Sequence, residues 1–215
     1  MDITYLGHSS FRMRSKSTYV VTDPYDSSKV GLKMSKVTAN IVTISHDHFD
    51  HNYLDNVKDY KRVVKGPGEY EIMDVSILGY ASYHDGKKGK ERGKNTIYVF
   101  ETEGLRVCHL GDLGHTLKDK AIEKIGDIDV LMIPVGGGYT IGSSEALEIV
   151  RAIEPNIVIP MHYFQDGMKK DSFGKLKTAD EFVKASNLNV EKTNKLVVRL
   201  SDVEEGHKIV LLDKK

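Results

Sequence analysis

Asn40-Ile41-Val42-Thr43-Ile44 is a β-branched apolar run of strand length, and it ends directly on Ser45-His46-Asp47-His48-Phe49-Asp50-His51. Three histidines and two carboxylates therefore stand within seven residues, where a buried strand gives way to a loop or helix. Strand ends of this kind are where α/β proteins place their chemistry. His46 and His48 are two apart, and in extended backbone side chains at i and i+2 leave on the same face, so both imidazoles can converge on one metal. Asp50 and His51 come later, where the chain is expected to turn into a helix, and are aimed at a neighbouring position. Neutral imidazole and carboxylate suit zinc, and also manganese or iron. One histidine here would read as an ordinary loop residue; His-x-His-x-Asp-His behind an apolar strand does not.

The run His46-x-His48-x-Asp50-His51 resembles the signature of the metallo-β-lactamase fold superfamily of metal-dependent hydrolases. The resemblance implies further ligands in a set order: a lone histidine, then an aspartate after a strand, then a histidine after another strand. His84 stands at the end of the strand that starts at Val75-Ser76-Ile77-Leu78-Gly79-Tyr80. Asp112 follows Leu105-Arg106-Val107-Cys108-His109-Leu110. His162 follows Asn156-Ile157-Val158-Ile159-Pro160, itself preceded by a helix whose apolar face is Ala146, Ile149, Val150 and Ile153. Mapped onto the family, His46, His48 and His84 hold a first metal. Asp50, His51 and His162 hold a second, and Asp112 bridges them. No glutamate replaces His48, as it does in oxygen-reducing diiron relatives, so hydrolysis is favoured over redox chemistry.

The resemblance covers most of residues 3–165. It implies an α/β fold, a four-layer αβ/βα sandwich of two mixed sheets flanked by helices, with the metals at the edge between the sheets. It also implies two divalent metal ions, zinc foremost with manganese or iron as alternatives. These lower the pKa of a shared water, and the hydroxide attacks a carbonyl carbon or phosphorus. Asp50 or Asp112 then orients that hydroxide or takes its proton. His115, three residues beyond Asp112, either hydrogen-bonds substrate, shuttles a proton or packs its loop. The turn Gly7-His8-Ser9-Ser10, the pair Asp23-Pro24 and the segment from Gly136 to the next helix look like the branch that includes L-ascorbate-6-phosphate lactonases. His8 and Asp23 are either groups that orient the ligands or ordinary turn residues. The glycine loop 136–138 either offers backbone N–H groups to an anion or simply lines the site.

Composition bounds the partners. The chain has 215 residues, read as one domain over 1–215, with 40% hydrophobic and 29% charged residues. Lys+Arg and Asp+Glu are both 31, so no net field recommends nucleic acid or an anionic membrane. The exception is local: Lys87-Lys88-Gly89-Lys90-Glu91-Arg92-Gly93-Lys94 is a basic stretch, either a solvated mobile tip or an overhang that attracts an anionic substrate. No apolar run approaches the ~18 residues of a spanning helix. The first residues carry no signal-peptide pattern, and a lone Cys108 excludes an intramolecular disulfide, which together fit a cytoplasmic location. The expected activity is hydrolysis of a small polar ester, lactone or phosphoester. The rival readings are a metal-dependent nuclease and a non-catalytic, metal-stabilised binding protein; assembly into homo-oligomers is common in the superfamily.

Several local expectations complete the reading. Ser143 or Ser144 caps the helix before Pro155, and a surface helix covers Lys177 to Ser186. Strands at Leu196–Leu200 and His207–Leu212 close the sheet. Gly66-Pro67-Gly68 is a turn that leaves Glu69 solvated, and Cys108 and His109 are strand residues without chemistry.

Overall fold

The computed structural model describes residues 1–201 and 206–215. The first half runs β1 (Asp2–Gly7), β2 (Ser10–Ser15), β3 (Thr18–Thr22), α1 (Ser27–Val30), β4 (Val37–Thr38), β5 (Ile41–Ile44), β6 (Val57–Lys58) and β7 (Arg62–Lys65). Next come β8 (Gly68–Ile72), β9 (Val75–Tyr83), β10 (Lys94–Thr102), β11 (Leu105–His109), α2 (Asp119–Ile125), β12 (Val130–Pro134), α3 (Ser143–Ile153) and β13 (Ile157–Met161). The chain closes with α4 (Lys170–Phe173), α5 (Asp180–Ser186), β14 (Asn189–Thr193), β15 (Leu196–Val197) and β16 (Lys208–Leu212).

Two mixed sheets carry the fold. A six-stranded sheet has the order β15-β1-β2-β3-β5-β7, and an eight-stranded sheet has the order β14-β16-β13-β12-β11-β10-β9-β8. The opening strands β1, β2 and β3 pair antiparallel, and β3, β5 and β7 are parallel. In the second sheet β8 to β11 are antiparallel, whereas β11, β12, β13 and β16 run parallel. The apolar runs explain this division. Val130 and Met132 face the other sheet, in one core with Ile3, Tyr5, Phe11 and Met13. Their neighbours Leu131 and Ile133 face α2, α3 and α5 on the outside. A strand covered on both faces needs apolar residues at every position, the usual composition of parallel strands. Each such Val, Leu or Ile contributes about 1.5–3 kcal/mol on burial. A third core, with Leu6, Val42, Ile44 and Phe173, lies under α1 and α4 on the far side of the first sheet. The layers are therefore helix, sheet, sheet, helix, as the resemblance implied. Among the described residues no helix is long and apolar enough to cross a membrane.

Five local expectations give way. The segment after His48 makes turns, and the only helical element between His48 and β6 is a single 3₁₀ turn at Leu54–Asn56; Asp50 and His51 are held by side-chain partners instead of a helix. Gly142, not a serine, caps α3, and its N–H donates to Glu145 Oε2 at 3.1 Å. The last surface helix starts at Asp180, because the Lys177 N–H donates to the Gly136 carbonyl at 2.8 Å and keeps the approach extended. Glu69 is solvated as expected, but it lies in β8, an edge strand paired with β9, and not in the turn. The expected strand at Leu196 stops at Val197.

Candidate metal centre

The ends of strands from both sheets meet at one edge of the sandwich. The first sheet delivers Gly7-His8 after β1, Asp23 after β3 and Ser45–His51 after β5; the second delivers His84 after β9, Asp112 after β11 and His162 after β13. Two bonds between the sheets set their relative height here. Tyr98 Oη donates to the Ile44 carbonyl at 3.0 Å, and the Thr96 N–H donates to the Ser45 carbonyl at 2.9 Å.

Asp112 lies at the centre. Its Oδ2 is 3.1 Å from Nε2 of His162, 3.2 Å from Nε2 of His51 and of His84, and 3.7 Å from Nε2 of His46. Around it are two sets of candidate ligands. One is His46, His48 and His84, and the other is His8, Asp50, His51 and His162; within each set the ligand atoms lie within 4.8 Å of one another. All seven residues expected as ligands are thus brought together around Asp112, and His8, not among those expected, stands in the second set. His115 is not with them. Its ring packs 6.0 Å from that of Tyr83, its Nδ1 is 2.8 Å from the Thr116 carbonyl, and it lines a separate cavity of about 680 Å³ beside α2.

The donor chemistry fits a metal. Nε2 of His46, Nε2 of His51 and Oδ1 of Asp112 are buried without a hydrogen-bond partner, an arrangement that destabilises a fold unless something binds those atoms. The other nitrogens of the same rings are engaged. Asp23 Oδ2 is 2.9 Å from His51 Nδ1, and it accepts the Ser45 hydroxyl at 2.6 Å. Having donated its proton there, the Ser45 Oγ accepts from His46 Nδ1 at 2.9 Å. Both Nδ1 atoms then carry protons, and both Nε2 atoms turn toward the cluster. Asp23 therefore orients two ligands at once, and its own φ of 40° is held by a hydrogen bond from its N–H to the Thr43 carbonyl at 2.9 Å.

Other parts of the cluster are braced as well, although Nδ1 of His84 and of His162 is buried without a partner. His8 Nε2 pairs with Asp50 Oδ2 at 3.1 Å, and the His8 carbonyl accepts from Tyr5 Oη at 2.8 Å and from the His162 N–H at 2.9 Å. Asn95 Oδ1 accepts the Asp112 N–H at 3.0 Å, while its Nδ2 donates to the Leu110 carbonyl at 2.9 Å. His109, expected to be inert, is a second brace. Its Nε2 is 2.8 Å from the Ser9 carbonyl, and its Nδ1 accepts the Gly111 N–H at 3.1 Å. Gly111 itself has φ +57°, and a Cβ there would come within 2.3 Å of Asn95 Oδ1. Sequence reading missed Ser45, Asn95 and His109 as braces. The available signal was a polar residue in an otherwise apolar strand, which must find a partner once buried.

Electrostatics follow from burial and crowding. Burial, then the neighbouring His162, lowers the His8 pKa to about 4; burial and the neighbouring His51 lower His46 to about 3. Burial pushes His51 the same way, but the Asp112 and Asp50 carboxylates override it and hold His51 well above the ordinary histidine value. Burial raises Asp112, and the surrounding His162, His51 and His84 more than reverse this.

The cluster is not sealed. A cavity of about 470 Å³ opens over His48, Asp50, His84, Asp112 and His162, with Phe49, Arg92, Tyr139 and Phe173 as its walls.

A family model for a beta-lactamase superfamily domain matches residues 2–162. A UPF0173 metal-dependent hydrolase of Thermococcus onnurineus is 28% identical over 191 residues, covering 76% of this chain and 84% of the relative. A crystal structure from Thermotoga maritima, described as a candidate Zn-dependent hydrolase of the metallo-beta-lactamase superfamily, is 38% identical with a TM-score of 0.81, covering 98% of this chain and 97% of that one. A metallo hydrolase of Ignicoccus hospitalis shares the fold at 19% identity, with a TM-score of 0.70 and coverage of 99% and 95%. With its ligand set, sandwich and relatives in agreement, the chain belongs to the metallo-β-lactamase superfamily, among its metal-dependent hydrolases.

Proposed function

We propose that this protein hydrolyses an ester, lactone or phosphoester bond of a small polar molecule at a dinuclear metal centre, with zinc as the metal. The observation that carries the reading is the position of the ligands at the floor of an open cavity. A site that only staples a fold needs four closed ligands and no access. Here His46, His48 and His84 would hold one ion, Asp50, His51 and His162 the other, with Asp112 between them. When bound, the ions supply a water acidic enough to act as nucleophile near neutral pH, and a positive field for the oxyanion that develops.

The chain's own groups do the rest. Asp50 has one oxygen, Oδ2, fixed by His8, and its other oxygen is the general base at the cavity floor. Asp23 and Ser45 keep His51 and His46 in the tautomer that leaves Nε2 free. Phe49, Tyr139 and Phe173 exclude water from one side of the substrate. His115, in its separate cavity, takes no part.

The test is metal content by elemental analysis, paired with turnover on chromogenic esters, lactones and phosphoesters. About two zinc ions per chain and metal-dependent turnover are expected, with Asp112→Asn losing at least about 100-fold in kcat while keeping its circular dichroism spectrum. Zinc-loaded protein inert toward the whole panel would favour a non-catalytic metal site.

A further inference from the structure

The cavity over the cluster is lined by one cation, Arg92, that pairs with none of the carboxylates beside it. Arg92 is half-buried in its wall, and its only side-chain hydrogen bond is a long one, 3.5 Å from Nη2 to the Gly138 carbonyl. Its guanidinium also lies 6.0 Å from the centre of the Tyr139 ring. Among the described residues no carboxylate pairs with it. Three other cations nearby are engaged. Lys87 pairs with Glu91 at 2.7 Å, Lys65 pairs with Asp47 at 3.0 Å, and Lys29 sits over the Phe49 ring at 5.6 Å. Arg92, with Asp47 and His48, also lines a second cavity of about 360 Å³ beside the first.

Its backbone is fixed relative to the cluster. Asp85, the neighbour of His84, accepts four backbone N–H groups: Lys87 at 2.7 Å and Gly89 at 2.9 Å on Oδ1, Glu91 at 2.9 Å and Arg92 at 2.8 Å on Oδ2. The His84 N–H donates to the Gly93 carbonyl at 3.1 Å. The basic stretch is therefore wound around one carboxylate, and Arg92 is carried at a set distance from a candidate ligand. A guanidinium taken partly out of water with nearly all its donors free is unfavourable for the fold alone.

Resting on the hydrolase reading above, we propose that Arg92 is a substrate-anchoring residue that binds a carboxylate set off from the bond that is cleaved. The substrate class is then a compact organic monoanion. Its carboxylate lies in the planar fork of Arg92, its apolar middle lies against Tyr139, Phe49 and Phe173, and its scissile group lies over the cluster. One unpaired guanidinium matches a single negative charge and a planar acceptor better than a phosphate dianion. The volume suits a ligand of this size.

The test uses zinc-loaded protein and hydroxamates, which grip a metal at one end. Binding of acetohydroxamate, succinic monohydroxamate and glutaric monohydroxamate is measured by titration calorimetry on wild type, Arg92→Met and Arg92→Lys. The last two probes carry a distal carboxylate at two reaches. At least one is expected to bind wild type more tightly than acetohydroxamate. In Arg92→Met that probe loses about 10- to 100-fold in affinity, acetohydroxamate changes less than about twofold, and Arg92→Lys recovers part of the loss. Hydroxamate binding with the same carboxylate preference in wild type and Arg92→Met overturns the anchor and leaves the metal centre standing. Failure of zinc-loaded wild type to bind any of the three overturns the open, ligand-accepting metal centre of the hydrolase reading, and the anchor with it.

Discussion

Asp23 touches two ligand imidazoles, one directly and one through Ser45. Replacing it with Asn removes the charge that fixes His51 Nδ1–H and offers an amide to the Ser45 hydroxyl. Asp23→Asn is expected to weaken zinc binding by about 10- to 100-fold, and Ser45→Ala, which disturbs His46 alone, by less. Competition against a chromogenic chelator measures both, and equal affinities in all three proteins would remove Asp23 from the account. Gly111→Ala tests the brace on Asp112. Its φ of +57° and the 2.3 Å approach to Asn95 Oδ1 predict a loss of about 1–3 kcal/mol in denaturant unfolding. At this scale the ligands themselves were legible, since His46, His48, Asp50 and His51 announce themselves by spacing. Ser45, Asn95 and His109 were not, because a polar residue at a buried strand position signals that it needs a partner without saying which one. Their partners lie far away in sequence, as Ser9 does from His109.

Among the elements, the loop between β9 and β10 departs most from expectation. Its lysines suggested a solvated tip or an overhang, and composition could not decide, because the residue that organises it is acidic. Asp85 gathers four backbone donors, which hold its carboxyl down at about 2, against the opposing effect of burial. A carboxyl depressed in the folded state contributes order that is fully present above its unfolded value of about 4 and fades as pH falls toward 2. Asp85→Ala should therefore free the amides of Lys87, Gly89, Glu91 and Arg92 for hydrogen exchange, to the same extent at pH 6 as at pH 8, while β11 and β12 stay protected. Protection of those four amides in the variant would mean that the loop is held some other way. The strands were the easier elements to read. Where both faces are covered, as in β12 and β13, every residue is apolar and the run is unmistakable; the edge strand β8, with Glu69 and Glu71 exposed, resembles a turn because solvent permits it to.

Across the whole molecule, the candidate ligands come from both sheets: His46, His48, Asp50 and His51 from the first, His84, Asp112 and His162 from the second. A bound ion is then a staple between the two halves, and it must displace something to enter. In the metal-free protein Asp112 and Asp50 favour the protonated form of His51, so a proton occupies part of the role a dication would take. Below the raised His51 pKa, protons compete with metal. Zinc affinity should therefore rise with pH across the neutral range, and zinc binding at pH 7 should release about one proton, read as a buffer-dependent heat in calorimetry. The same linkage sets the thermal effect. Free zinc at about a thousandfold above Kd stabilises the native state by about 4 kcal/mol. For a chain of this length each kcal/mol moves Tm by about 2–4 °C, so chelation should lower Tm by about 10 °C. Because the two sheets share one apolar core, the protein should still melt in one transition, with calorimetric and van't Hoff enthalpies equal. Two separated transitions after chelation would show instead that the shared core does not couple the sheets and that the ion alone makes them melt together.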